Sequence, residues 1–329
     1  MERCLTCWWL RALGRRAATS ALVALMGLTL AGTAASAPIR STALGRGASR
    51  ERSLLDPAAR RTRRVPSRGC AIPGTLWCGN FSTGDASQWT QVLGLGGEFA
   101  FPRTPALAST HSLAVTLRPG ELWTDGTNRA QLREADDACG GEGCWTEGAD
   151  VYYHVDLYIG RSTIVGARFA NPWRALFSWP TSEAGECSNG GFQLATIDST
   201  GAVVPGGTPA LEMTGHNCDA SGSENNYWWL LHPVKGAWYQ FIVHRHYSSS
   251  PTVGFEEIWL KSPGRLTYTA EVLNGPAGGG RRRAHFATLG CHGCRANLRL
   301  GIYRNQRFTT TDVIYYDDVR AADSYAAAR

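Results

Sequence analysis

The sequence predicts an all-β protein, a two-sheet antiparallel β-sandwich or jelly roll, and three observations carry that prediction. From Gly69 onward apolar residues recur with period two in a dozen or so segments, the pattern of half-buried strands. Clusters of Gly, Pro and Ser such as Ser248–Pro251 and Gly275–Gly278 separate them. No stretch of ten or more residues there carries a clear 3.6-residue apolar stripe. Many short strands with almost no helix pack as two sheets face to face. The lack of an internal repeat excludes a propeller or a β-solenoid.

The chain has 329 residues, 43% of them apolar and 18% charged, enough to bury a sizeable core in one large domain or at most two. Its formal charge of +6 is uneven: residues 1–37 carry +3 and residues 38–68 carry +7, leaving −4 on 69–329. The basic character therefore belongs to the N-terminal stretch, and a nucleic-acid-binding fold is not indicated.

Residues 1–37 read as a signal peptide. Arg11, Arg15 and Arg16 precede an uncharged run from Ala17 to Ala31, followed by the small residues Thr33, Ala35, Ser36 and Ala37. Arg15-Arg16 hints at twin-arginine export, but its surroundings fit that motif poorly and ordinary secretion fits better. The run is shorter than the roughly 20 apolar residues a spanning helix needs, so no membrane span is expected in the mature chain. Residues 38–68 are rich in Arg, Ala and Ser without apolar periodicity, which predicts a disordered linker or tether. The folded domain is expected over 69–329, secreted and monomeric.

Eight cysteines follow the leader: Cys70, Cys78, Cys139, Cys144, Cys187, Cys218, Cys291 and Cys294. An even number in an exported chain predicts four disulfides, and their clustering favours the pairs 70–78, 139–144, 187–218 and 291–294. The rival reading is a zinc site of Cys139, Cys144, Cys291 and Cys294 with His292 nearby. The oxidising compartment favours disulfides.

Strand candidates run through 89–95, 112–118, 129–134, 151–159, 174–179, 192–198, 227–231, 238–247, 255–260, 266–272, 296–304 and 312–319. In the third, Arg129, Gln131 and Arg133 share one face and Ala130 and Leu132 the other. Two guanidiniums flanking an amide bind a carboxylate or sulfate through planar forks of donors. The plainer alternative is a solvated face whose charges are paired by Glu134 or Asp136. In 296–304, Leu298, Leu300 and Ile302 point inward, while Asn297, Arg299, Gly301 and Tyr303 share the outer face. Gly301 leaves room beside Tyr303 for a bulky ligand. A phenol flanked by Arg can act as a general acid or base, though a Tyr of this kind is more commonly a core residue donating to a carbonyl.

These two segments resemble the signature strands of secreted polysaccharide lyases of the heparin, alginate and glucuronan lyase type, whose fold is a concanavalin A-like jelly roll with a concave groove. Arg129, Gln131 and Arg133 match that group's Arg-x-Glu-x-Arg strand, and Gly301 and Tyr303 match its late Gly-x-Tyr strand. Gly84–Trp89, Lys235–Val243 and Val313–Val319 add further similarity, so the likeness covers roughly 80–323. It implies β-elimination at a uronic acid, with an acidic polysaccharide as partner and no cofactor. The C5 proton becomes removable only once the neighbouring carboxylate is neutralised, and the enolate-like intermediate is what the site must stabilise. On this chain the resemblance implies Arg129 and Gln131 as neutralisers and Tyr303 as the proton-transfer group, with Arg133, Arg299 and Arg304 binding substrate.

Two departures stand out. Gln131 replaces the group's Glu, and the strand expected to carry Gln-x-His reads Ala175-Leu-Phe-Ser-Trp-Pro180. A replacement base is sought in His154, His244 or His246. His244 is the first choice because it shares a face with Gln240, His246 and Trp238, which makes Gln240 and His246 candidate substrate contacts.

Ten tryptophans in the mature chain suit sugar stacking, and Trp89, Trp123, Trp173 and Trp179 are the candidates for the groove. Gly278–Arg283 is a basic loop able to close over an anionic polymer. Asp317 and Asp318 invite a Ca²⁺ ligand reading, but neighbours in a strand face opposite ways, so no metal is expected. The second hypothesis, favoured by the absent Gln-x-His, is a non-catalytic carbohydrate-binding protein on the same scaffold. A glycoside hydrolase ranks lowest, because no strand presents alternating carboxylates and Glu256-Glu257 point apart.

Overall fold

The computed structural model describes residues 68–329 apart from 125, 136–142, 182–187, 217–223 and 275–279. The expected leader, most of the linker and Cys139, Cys187 and Cys218 lie outside the described residues.

Two antiparallel sheets face each other. The first sheet runs in the order β13 (Thr269–Ala270), β12 (Phe255–Lys261), β11 (Trp238–His246), β6 (Asp150–Ile159), β18 (Asp312–Ala322), β4 (Leu113–Leu117) and β3 (Phe99–Ala100). To it β1 (Thr75–Gly79) adds beside β18, and β16 (Ala284–His285) beside β12. The second sheet runs β10 (Glu224–Leu231), β9 (Thr208–His216), β8 (Ser188–Ile197), β7 (Arg174–Pro180), β17 (Arg299–Arg304), β5 (Asn128–Arg133) and β2 (Gln91–Leu93). A small hairpin, β14 (Leu273–Asn274) and β15 (Gly280–Arg281), stands apart, and a one-turn helix α1 (Tyr325–Ala328) follows β18.

The alternation read from the sequence is what joins the sheets. Val151, Tyr153, Val155, Leu157 and Ile159 on β6 and Tyr239, Phe241 and Val243 on β11 point inward. They meet Ala130 and Leu132 of β5, Leu300 and Ile302 of β17, and Phe192 and Leu194 of β8. Phe177 stacks on Phe192 with centroids 4.5 Å apart, and Phe241 closes on both. Each such fully buried ring contributes about 1.5–3 kcal/mol.

Several elements were not foreseen, among them β1, β9 and helix α1. β1 is short. β9 carries Pro209 near its start and Gly215 near its end, both depleted in strands. Helix α1 is set by its cap, Ser324, whose side chain accepts from the Ala327 amide. The candidate strand 266–272 contracts to the two residues of β13.

Disulfides join Cys70 to Cys78 and Cys291 to Cys294, as expected, and Cys144 is also disulfide-bonded. The zinc alternative fails, because Cys291 and Cys294 are spent on each other. No helix among the described residues is long and apolar enough to cross a membrane.

Candidate active site

The outer face of the second sheet is built by strand parity. With Ala130 and Leu132 inward, Arg129, Gln131 and Arg133 turn outward; with Leu300 and Ile302 inward, Arg299, Gly301 and Tyr303 do the same. Antiparallel pairing then sets Tyr303 directly opposite Arg129, Gly301 opposite Gln131 and Arg299 opposite Arg133. The two segments singled out in the sequence are thus neighbouring strands in one register.

Arg129 lies between two rings. Its guanidinium carbon is 4.7 Å from the Tyr303 ring centroid and 5.3 Å from that of Trp123, and its Nε donates to Thr127 Oγ1 at 2.5 Å. Trp173 meets Tyr303 edge to face at 4.9 Å. Arg129, Gln131, Arg133 and Arg299 are buried, at 4%, 2%, 2% and 6% exposure, whereas Tyr303 stays partly exposed. The phenol is therefore the reachable group, seated beside buried guanidiniums. Arg133 also donates to Gln91 Oε1 at 3.0 Å. Glu134 does not pair these arginines. It points into the interior, accepting from the Leu298 amide at 2.9 Å and from Trp145 Nε1 at 3.3 Å, and burial raises its pKa to about 8.

The room expected beside Tyr303 is absent. A Cβ on Gly301, whose φ is +137°, would stand 2.2 Å from the Ala130 carbonyl oxygen and 2.8 Å from Gln131 Cα. Gly301 is required by the close approach of β5, not by a ligand.

The row across the sheet continues from Tyr303 to Ala175, Gln193, Glu212 and Trp229. Gln193 Nε2 donates to Glu212 Oε1, and Glu212 is fully buried. Sequence reasoning missed both residues. Gln193 was legible as the outward residue between Phe192 and Leu194, one strand beyond the segment the resemblance singled out; Glu212 sits on the unforeseen β9. Trp229 packs over Ala195, Ile197 and Ala210, an apolar patch on this same face.

Three expected contacts lie in the interior. Trp179 is fully buried, because register shifts in β7 place Leu176, Phe177 and Trp179 all toward the core. Trp89 is likewise interior, stacked on Phe81 at 5.7 Å. Arg304 is an inward residue: it donates to Asp312 Oδ2 at 2.6 Å and Asn128 Oδ1 at 2.5 Å, and Arg174 shares the same carboxylate at 2.7 Å. Its assignment to substrate is corrected to a buried ion pair.

His244, His246 and Gln240 sit on the outer face of the first sheet, with the whole sandwich between them and Tyr303. His244 lies 2.8 Å from Glu257 Oε2 and 3.0 Å from Asp150 Oδ1 and stacks on Tyr152 at 4.0 Å. His246 Nδ1 is 3.1 Å from Asp150 Oδ1. Partial burial works to raise the Asp150 pKa, but hydrogen bonds from the two imidazoles outweigh it and hold the carboxyl below its ordinary range. Gln240 donates to Asp156 at 3.0 Å. His154 faces the same way as His244. Two stacked sheets about 10 Å apart separate these groups, so none of the three histidines shares a site with Tyr303.

A two-sheet antiparallel sandwich with an arginine and tyrosine row across one outer face is a jelly roll with a candidate site on that face. The chain belongs to the polysaccharide lyase family, whose sequence model matches residues 81–320. Among solved structures it is similar to the endo-β-1,4-glucuronan lyase of the fungus Trichoderma reesei, with 12% identity and a TM-score of 0.45 over 77% of this chain and 98% of that one. It is similar to the alginate lyase of Klebsiella pneumoniae at 10% identity and a TM-score of 0.44, over 69% and 85% of the two chains. The catalytic domain of a glycoside hydrolase family 131 protein from Coprinopsis cinerea matches at 13% and 0.45, over 76% and 95%. No curated protein matches the chain.

Proposed function

We propose that this chain is an exported lyase that cleaves a uronic-acid-containing polysaccharide by β-elimination, with Tyr303 as the single proton-transfer residue. The observation that carries the reading is the Arg129 guanidinium stacked 4.7 Å from the Tyr303 ring. In this reading deprotonated Tyr303 takes the C5 proton of the uronate. The C5 electron pair forms the C4–C5 double bond, the C4–O4 bond breaks, and the same phenol returns its proton to O4. Atoms and electrons balance without water as nucleophile or any cofactor. Arg129, with Gln131 beside it, neutralises the uronate carboxylate as its charge spreads into an enolate. Gln193, one strand further than the resemblance implied, is positioned to bring a second amide to that carboxylate. Arg133 and Arg299, paired across β5 and β17, favour a second acidic unit.

One observation favours a second reading. β7 presents Ala175 and Ser178 opposite β17, where the related lyases carry their Gln-x-His, as a carbohydrate-binding protein without catalysis would. The test is ultraviolet absorbance of the unsaturated product while the purified mature protein is offered glucuronan, alginate, heparin and hyaluronan separately, with Tyr303→Phe alongside. Signal that vanishes in the variant supports the lyase. A flat trace with retained binding in affinity electrophoresis selects the second reading.

A further inference from the structure

On the opposite side of the sandwich a second cluster has no part in this chemistry. β18 shifts register between Asp317 and Arg320, and Asp318 sits at φ +43°. The irregularity lets two successive aspartates leave the core side, against the strand-parity expectation. Asp317 turns to the 107–109 loop, accepting from the Leu107, Ala108 and Ser109 amides at 2.6, 2.9 and 3.3 Å. Asp318 turns the other way, to His154 and Asp156 of β6.

The protons decide what this arrangement can hold. His154 Nδ1 is 2.8 Å from the Ala328 carbonyl oxygen, which only accepts, so Nδ1 carries the hydrogen. Its other nitrogen, Nε2, then faces Asp156 Oδ1 at 3.0 Å and Asp318 Oδ2 at 3.7 Å. One ring nitrogen thus meets two carboxylate oxygens. Asp156 is fully buried, and its Oδ2 has no donor; the buried Asp318 Oδ1 has none either. Beside His154 stand two carboxylates, Asp156 and Asp318, and one guanidinium, Arg320.

The spacing also fits. Ligand atoms of His154, Asp156 and Asp318 all lie within 4.8 Å of one another. Tetrahedral zinc with bonds of about 2.0–2.1 Å sets its ligand atoms about 3.3 Å apart, between the two separations just given. The Nδ1–H bond to a backbone carbonyl is the outer contact by which a metal-bound imidazole is usually fixed. We propose that His154 Nε2, Asp156 and Asp318 form a structural site for a zinc-like divalent metal ion that clamps β6, β18 and helix α1 together. Arg320, which donates to the Ala328 carbonyl at 2.7 Å and pairs with Asp318, braces the site from outside.

The experiment uses the mature protein, stripped with a chelator and titrated with Zn²⁺ and separately with Co²⁺. The expected result is one equivalent of metal per chain by elemental analysis after dialysis, with visible Co²⁺ absorption of tetrahedral intensity and a raised Tm. Asp156→Asn and His154→Gln should each weaken retention by at least about 100-fold, while His244→Gln should retain it. Wild-type protein that holds no metal while its His154 ring shows both nitrogens protonated by NMR would overturn the proposal. Because that measurement needs only the wild-type chain, a variant that fails to fold does not rescue it. Equal retention by the folded Asp156→Asn protein overturns it too.

Discussion

Arg129 and Tyr303 stand directly opposite each other on neighbouring strands, with the guanidinium 4.7 Å from the phenol ring. A phenol in this position can take and return a proton, so Tyr303→Phe should lower kcat by about 10²–10⁴-fold and leave binding of the polymer intact. Arg129→Lys should lose most activity as well, because a point charge cannot replace a planar fork that also stacks. Initial rates of unsaturated product, with a parallel binding isotherm, check both; an active Tyr303→Phe sinks the single-residue mechanism.

Gly301 offers a test that touches no reacting group. A methyl there collides with the Ala130 carbonyl and the Gln131 Cα, so Gly301→Ala should push β17 away from β5 and shift Tyr303 from Arg129. The expected outcome is a protein with lowered Tm and a kcat loss much larger than its change in binding. Full activity would show that register between these strands is not what positions the phenol.

Gln193 is predicted to matter where the histidines do not. Gln193→Ala should reduce turnover on a uronate polymer, whereas His244→Gln should leave turnover unchanged, since His244 faces away from Tyr303. Steady-state rates of the two variants separate these outcomes, and the reverse pattern would move the site to the other sheet.

Trp179 and Arg304 should report stability instead of binding. Trp179→Ala empties the space of a fully buried indole and should cost about 3–5 kcal/mol. Arg304→Ala strands Asp312 in the interior, and breaking a buried pair costs about 3–5 kcal/mol. Urea midpoints measure both; a wild-type midpoint with weakened polymer binding would return either residue to the substrate face.

Glu134 sets a pH slope. Its folded pKa of about 8 lies above the ordinary 4.5 because burial penalises the charged carboxylate. The folded state therefore binds the extra proton between those values, and stability falls as pH rises from 4.5 to 8, by up to about 1.4 kcal/mol per pH unit. Glu134→Gln should flatten that slope in denaturation curves recorded across the window; an unchanged slope would place its origin elsewhere.

Much of this was legible in the sequence, and the misses share a cause. Period two shows which residues of a strand lie together, and it placed Arg129, Gln131, Arg133, Arg299 and Tyr303 on one face. It does not say to which of two sheets a strand belongs, so His244 looked eligible as a base beside Tyr303. It also fails where a bulge breaks the period: irregular register in β7 turned Trp179 inward, and the shift in β18 took both Asp317 and Asp318 out of the core, toward different neighbours. Arg304 follows the alternation faithfully but is an inward residue, made tolerable only by Asp312, a partner eight positions away that charge counting does not identify.

The position of β18 has a consequence for how the chain is made. It lies between β6 and β4 and also pairs with β1, yet it is supplied by residues 312–322. Until those residues leave the ribosome, two long strand edges lack their partner, and the earliest strand has nothing to add to. Closure thus depends on contacts spanning more than two hundred residues, which predicts slow assembly governed by long-range pairing. The nascent chain stays open for most of its synthesis, exposed to self-association and accessible to whatever handles unfolded chains.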